Sequence, residues 1–167
     1  HRESEFTETC TSIINNKVTI LTGASGIGKT RLALEVCRQQ DNGKTKVFCV
    51  KSNGNFLYED IKYYISDSGK YLIFFDDVNM VVSLDNVLDT ILTLPTDFDV
   101  KLLFSVRDYA KERVIDAVSR YVLPNIIEIG RFKDDEIKDI LKSDLEIVNP
   151  DYLKKIAEIA NGNIRLA

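Results

Sequence analysis

Residues 23–30 read Gly23-Ala24-Ser25-Gly26-Ile27-Gly28-Lys29-Thr30, between the apolar run VTILT and the segment RLALEVC. Gly23, Gly28, Lys29 and Thr30 fit the pattern G-x-x-x-x-G-K-[ST], with a strand-like run before it and a helix-like run after it. Glycines in such a loop let backbone N–H groups turn inward around phosphate oxygens. The start of the following helix adds roughly half a positive charge. Lys29 is expected to reach the β- and γ-phosphates of a nucleotide, and Thr30 to offer its hydroxyl to Mg²⁺. Ala24, Ser25, Gly26, Ile27 and Arg31 complete the expected phosphate-contacting stretch. A glycine turn ahead of an ordinary helix is the plainer alternative, and the full match weighs against it.

Such a loop needs a second Mg²⁺ partner on a neighbouring strand. The run Leu72 to Val78 (LIFFDDV) supplies it. Asp76, at the strand end, is expected to hold Mg²⁺ directly or through water, and Asp77 to orient or activate a water. A solvated turn is the bland reading of the two carboxylates. A small-molecule kinase must keep water from the γ-phosphate, so a second carboxylate fits hydrolysis better. Leu102 to Asp108 (LLFSVRD) is another core strand. Ser105 at its end can sense the γ-phosphate or the attacking water, and Arg107 can pair with phosphate oxygens. Taken alone, Arg107 reads as a surface residue paired with Asp108.

Around these motifs apolar runs alternate with amphipathic segments. Strands are expected at Lys17–Leu21, Lys46–Val50, Tyr71–Asp76, Lys101–Val106 and Asn125–Ile129. Helices are expected at Gly28–Gln40, Phe56–Ser66, Leu84–Leu94, Tyr109–Tyr121, Asp134–Lys142 and from Asn149-Pro150-Asp151 to Ala160, with a turn at Ser52–Asn55. Tyr71–Asp76 is the most apolar run and is expected to be a central strand buried on both faces. The alternation predicts an α/β fold with a parallel sheet, and the helical last third predicts a small lid. Residues 1–130 are expected to form the core and 131–167 the start of the lid.

The chain has 167 residues, 44% of them hydrophobic, and a net charge of −4, enough for one domain with a proper core. No apolar run approaches the roughly 20 residues of a membrane helix. Residues 1–17 are polar and do not read as a signal peptide. Acidity does not indicate nucleic acid as a partner, since broad DNA-binding surfaces are usually basic. Cys10, Cys37 and Cys49 lack metal-ligand spacing and read as reduced thiols of a cytoplasmic protein, and His1 reads as a boundary or surface residue. With no initiating Met and a helical-looking end at NIRLA, the chain is expected to be a piece of a longer protein.

Several of these segments together resemble a known class. RESEF (Arg2 to Phe6) resembles the GRExE segment ahead of the phosphate loop in STAND ATPases, which are signal-transduction relatives of AAA+ ATPases that include immune-receptor and bacterial antiviral-sensor domains. IFFDDV resembles their Walker B strand, SVR with Asp108 their TSR sensor segment, and GNIRLA (Gly162 to Ala167) their GxP or GNPRLA segment. His1 stands where Gly is usual, Ser105-Val106 replaces Thr-Ser, and Ile164 replaces the proline that packs on adenine. The resemblance implies a P-loop core of five parallel strands with the phosphate-loop strand central, plus a helical lid. It implies ATP or ADP with Mg²⁺ between core and lid, slow ATP hydrolysis, and a homo-oligomer in the ATP-bound form. Arg2 and Glu3 would lie near the base, and Gly162, Ile164 and Arg165 would touch the nucleotide from the lid. The trigger ligand, such as a viral protein, would bind outside this stretch. GNIR also resembles the GDxR sensor-2 segment of AAA+ initiators and clamp loaders. That leaves an alternative, an ATPase that loads on or remodels DNA, with Arg113 and Arg120 as formal arginine-finger candidates.

Overall fold

A computed structural model of the chain describes residues 2–51 and 57–167. Five strands form one sheet: β1 (Val18–Gly23), β2 (Thr45–Lys51), β3 (Gly69–Asp76), β4 (Phe98–Arg107) and β5 (Asn125–Glu128). Their order is β2-β3-β4-β1-β5, and every neighbouring pair is parallel. The sheet is thus the five-stranded α/β sheet expected. The phosphate-loop strand β1 is interior, between β4 and β5, but the middle strand is β4.

The pleat sends successive side chains to opposite faces, so β3 can bury both of its faces. Tyr71, Ile73 and Phe75 join Ile20, Leu102 and Phe104 on one face. Leu72 and Phe74 join Leu21, Leu103 and Ile127 on the other. The first face is covered by α3 (Tyr58–Tyr64), α4 (Leu84–Leu92) and α5 (Lys111–Ser119), through residues such as Ile61, Leu88 and Val118. The second is covered by α1 (Glu3–Asn15) and α2 (Lys29–Gln40), through Ile13, Leu32, Ala33 and Val36.

Helix α1 has no counterpart among the elements expected from the sequence. Its composition is polar, yet Phe6, Cys10 and Ile13 recur at helical spacing and pack on the second face. A buried polar knot fastens it: Ser12 Oγ lies 2.7 Å from Thr19 Oγ1 on β1 and accepts from Asn125 Nδ2 on β5 at 2.8 Å. The helix expected from Tyr109 instead opens with a 3₁₀ turn at Asp108–Ala110 before α5. Helix α4 stops at Leu92, two residues before the expected end. The turn expected at Ser52–Asn55, and Phe56 at the start of the next expected helix, lie outside the described residues.

The last two helices pack mainly on each other. They are α6 (Asp134–Leu145) and α7 (Pro150–Ala160), and Ile137, Leu141, Leu153 and Ala157 make their shared apolar contact. Asn149 caps α7 by accepting from the Asp151 and Tyr152 amides at 3.0 and 3.3 Å, with Pro150 at the first helical position. Asn161 and Gly162 both adopt positive φ, +45° and +77°, and end the helix. That turn sends residues 163–167 back toward the phosphate loop.

Candidate functional site

The phosphate loop runs from the C-terminal end of β1 to the N-terminus of α2. Gly26 and Gly28 sit at φ +81° and +93°, where a side chain would be strained. A Cβ at Gly23 would lie 2.5 Å from the Ile129 carbonyl oxygen, so only glycine fits beside the chain leaving β5. Lys29 folds back under the loop and donates to the carbonyls of Gly23 and Ala24 at 2.6 and 2.7 Å. It is buried, and burial pushes its ammonium below the ordinary lysine value, against the opposing pull of Asp108, Asp77 and Asp76. A cation held by backbone carbonyls alone, at a helix N-terminus, is ready to receive an anion.

Strands β3 and β4 bring the carboxylates to the loop. Asp76 Oδ1 accepts from Thr30 Oγ1 at 2.8 Å and from Ser105 Oγ at 2.7 Å. Ser105 Oγ also accepts from the Asp77 amide at 2.8 Å. One buried hydroxyl therefore ties the ends of β3 and β4 together. Asp77 takes the left-handed conformation at φ +48°, turning away from the line of β3. There Arg107 grips it at both oxygens, Nη2 to Oδ2 at 2.8 Å and Nε to Oδ1 at 3.3 Å. This hydrogen bond is the main reason that Arg107 is held above its ordinary pKa. The partner is Asp77 and not the adjacent Asp108, because the ends of β3 and β4 are neighbours in the sheet.

Two clefts meet at Gly28, Arg31 and Ile164. The polar one, 220 Å³, is lined by Lys29, Thr30, Asp77, Arg107 and Arg165 among others. The larger one, 540 Å³, is apolar, with Phe6, Leu32, Phe132, Ile140 and Ile164 in its walls and Arg2 and Glu3 among its lining. Arg2 joins the phosphate loop to the link after β5: its Nη2 donates to the carbonyls of Ile27 at 2.9 Å and Gly130 at 2.7 Å. Its guanidinium lies 4.0 Å from the centre of the Phe132 ring, and Nε is buried with no partner. Gly162 lines neither cleft; a Cβ there would lie 2.6 Å from Arg131 Cβ, so it is the close-packed floor of the helical segment. Ser25 meets that segment directly, its carbonyl accepting from Asn163 Nδ2 at 3.2 Å.

No sequence motif points to Phe132 or singles out Asn163. Phe132 lies in the link between β5 and α6, a stretch with no periodicity to point at it. Asn163 lies inside the GNIRLA segment, where attention falls on its neighbours. Arg120 pairs with Asp85 at 3.1 Å on an exposed face, and Arg113 is likewise exposed.

The residues present fit a nucleotide with a divalent cation. Thr30, which lines the polar cleft, and Asp76, hydrogen-bonded to it, place two hard oxygen donors side by side, the small protein donor set that Mg²⁺ takes beside phosphate and water. Among the described residues no helix is long and apolar enough to cross a membrane.

A parallel five-stranded sheet carrying this loop at the end of an interior strand, with paired carboxylates on the next strand but one, defines a P-loop NTPase domain. The model of the family described as Novel STAND NTPase 3 matches residues 1–147, and the chain belongs to that family. No curated protein matches it. Among solved structures it is similar to the Orc1 protein of Aeropyrum pernix in complex with DNA, at 18% identity and a TM-score of 0.79, covering 99% of this chain and 57% of that one. It is similar to the RuvB Holliday junction branch migration motor of Thermotoga maritima, at 16% identity and a TM-score of 0.74, covering 99% and 59%. A Walker-type ATPase of Pyrococcus abyssi follows at 12% identity and a TM-score of 0.67, covering 98% and 64%. At these identities the likeness is one of fold. The chain spans under two thirds of the length of each of these three structures.

Proposed function

We propose that this chain is the ATP-binding switch of a STAND-type signalling or defence protein. It hydrolyses ATP slowly to ADP and phosphate, and its ATP-bound form oligomerises and activates an effector elsewhere in a longer cytoplasmic protein. One observation carries this reading: side chains of the α/β core and of the segment after α7 line the same polar cleft at the phosphate loop. A ligand that fills it touches both, so gaining or losing a phosphate changes how tightly they are held together.

In this reading residues 1–130 are the core and 131–167 begin the lid. Lys29 and the amides of residues 24–31 hold the phosphates. Thr30 and Asp76 hold Mg²⁺, which when bound neutralises phosphate charge. Asp77 positions water, and Arg107 reads the γ-phosphate. The apolar cleft takes the base between Phe132 and Leu32, with Arg2 and Glu3 at its edge. The trigger ligand binds outside this chain.

A second reading, an AAA+ ATPase that loads on or remodels DNA, is favoured by Arg165, which lines the phosphate cleft as a sensor-2 arginine would. One experiment separates the two. The full-length protein is purified without added nucleotide, denatured, and its small molecules are chromatographed. Stoichiometric, slowly exchanging ADP is the expected result. An empty site that turns ATP over quickly, and faster still with DNA, overturns the switch in favour of the motor.

A further inference from the structure

Arg107 and Asp77 form an ion pair, and both partners line the polar cleft. Lys29, Arg31 and Arg165 also line the cleft, and Lys29 is already engaged by two carbonyls of the loop. Arg107 therefore meets an incoming phosphate with its guanidinium fork occupied by a carboxylate. Asp77 is equally committed, since both of its oxygens accept from Arg107. The side chains are 39% and 36% exposed, so water and ligand reach the pair. An exposed pair of this kind is weak enough for a phosphate to displace.

We propose that Asp77 acts as a built-in stand-in for the γ-phosphate: it competes for Arg107 and thereby sets the domain's preference between nucleoside triphosphate and diphosphate. This rests on the proposed function and deepens it. A terminal phosphate that offers Arg107 a better bidentate partner draws the guanidinium off Asp77. The same displacement frees the Asp77 carboxylate to orient water. Without a γ-phosphate the fork returns to Asp77. One exchange of partners thus reads the ligand and uncovers the hydrolytic carboxylate. Ser105 keeps the geometry fixed, because its hydroxyl holds the Asp77 amide and Asp76 whichever partner Arg107 takes.

The test is a double-mutant cycle on nucleotide affinity, measured by calorimetry with Mg²⁺ and either a slowly hydrolysed ATP analogue or ADP. Asn tolerates the left-handed conformation of position 77, so Asp77→Asn keeps the backbone. Asp77→Asn is expected to tighten the analogue about fivefold, the scale of one exposed ion pair, and to leave ADP within about twofold. Arg107→Ala is expected to weaken the analogue and spare ADP. In the Arg107→Ala background, Asp77→Asn is expected to change the analogue's affinity by less than about twofold. A gain that persists there is general charge repulsion between Asp77 and phosphate, and overturns the competition. So does an equal gain for ADP. Wild-type protein that binds neither nucleotide removes the proposed function itself, an outcome distinct from either of these.

Discussion

The two ends of the cleft are built in opposite ways. The phosphate end comes from one continuous loop plus the tips of two adjacent strands, and its contacts are short hydrogen bonds to charged groups, Lys29 to a loop carbonyl and Thr30 and Ser105 to Asp76. The apolar end is assembled from Phe6 and Arg2 on or beside α1, Leu32 on α2, Phe132 in a link and Ile164 beyond α7. A local loop can be specified by a handful of consecutive residues. A pocket made from several distant segments exists only when the whole fold is closed around it. The first end is expected to recognise what every nucleotide shares, and the second to decide which base is accepted and how firmly the lid is held.

The largest effect should follow from breaking the phosphate end. Lys29→Ala removes the buried ammonium and is expected to weaken ATP and ADP alike by at least about 100-fold, since hydrogen bonds to an ionised group are the strong ones. Calorimetry with both nucleotides checks it, with circular dichroism to show that the fold persists. ATP affinity unchanged in this variant would sink the site assignment.

Breaking the apolar end should cost less and differently. Phe132→Ala opens the wall of the larger cleft and removes the ring beneath Arg2. The expected loss is about tenfold in affinity, equal for ATP and ADP because the base is common to both. Phe132→Leu should recover most of it. A loss confined to ATP would mean that Phe132 acts through the lid and the γ-phosphate, and the base would have to be sought elsewhere.

The same contrast explains what could be read from the chain alone. The loop, the Asp76-Asp77 pair and the five strands follow from consecutive residues, because glycine conformation and apolar runs are local properties. Helix α1 is not legible in the chain alone because its polar composition hides Phe6, Cys10 and Ile13, whose meaning appears only when the second face of the sheet is there to receive them. Arg2 donating to the carbonyl of Gly130 joins residues 128 apart, and no pattern in either neighbourhood announces it. Arg107 illustrates the limit most clearly. Its neighbour in sequence is Asp108, yet its partner is Asp77, because parallel pairing of β3 with β4 puts their C-terminal ends side by side. The placing of β4, and not β1, at the middle of the sheet likewise depends on pairing between strands distant in the chain.

The smallest expected effect is on pH dependence, and it sharpens the phosphate end further. Burial lowers the Lys29 pKa in the nucleotide-free protein. Phosphate charge beside the ammonium favours its protonated form and raises that pKa again. Between the lowered free value and the restored bound value, binding must therefore take up part of a proton. Affinity is full below that window and declines as pH rises through it, at most tenfold per pH unit for one proton. Calorimetry in two buffers of different ionisation enthalpy, repeated from neutral to alkaline pH, measures the uptake directly. The apolar end has no such group, so Phe132→Ala should shift the whole affinity curve without moving its alkaline limb. A limb that moves with Phe132→Ala would show the two ends to be coupled through the loop. Residues 25 and 163 would be the first contact to examine, since the Ser25 carbonyl and the Asn163 amide join loop and helical segment there.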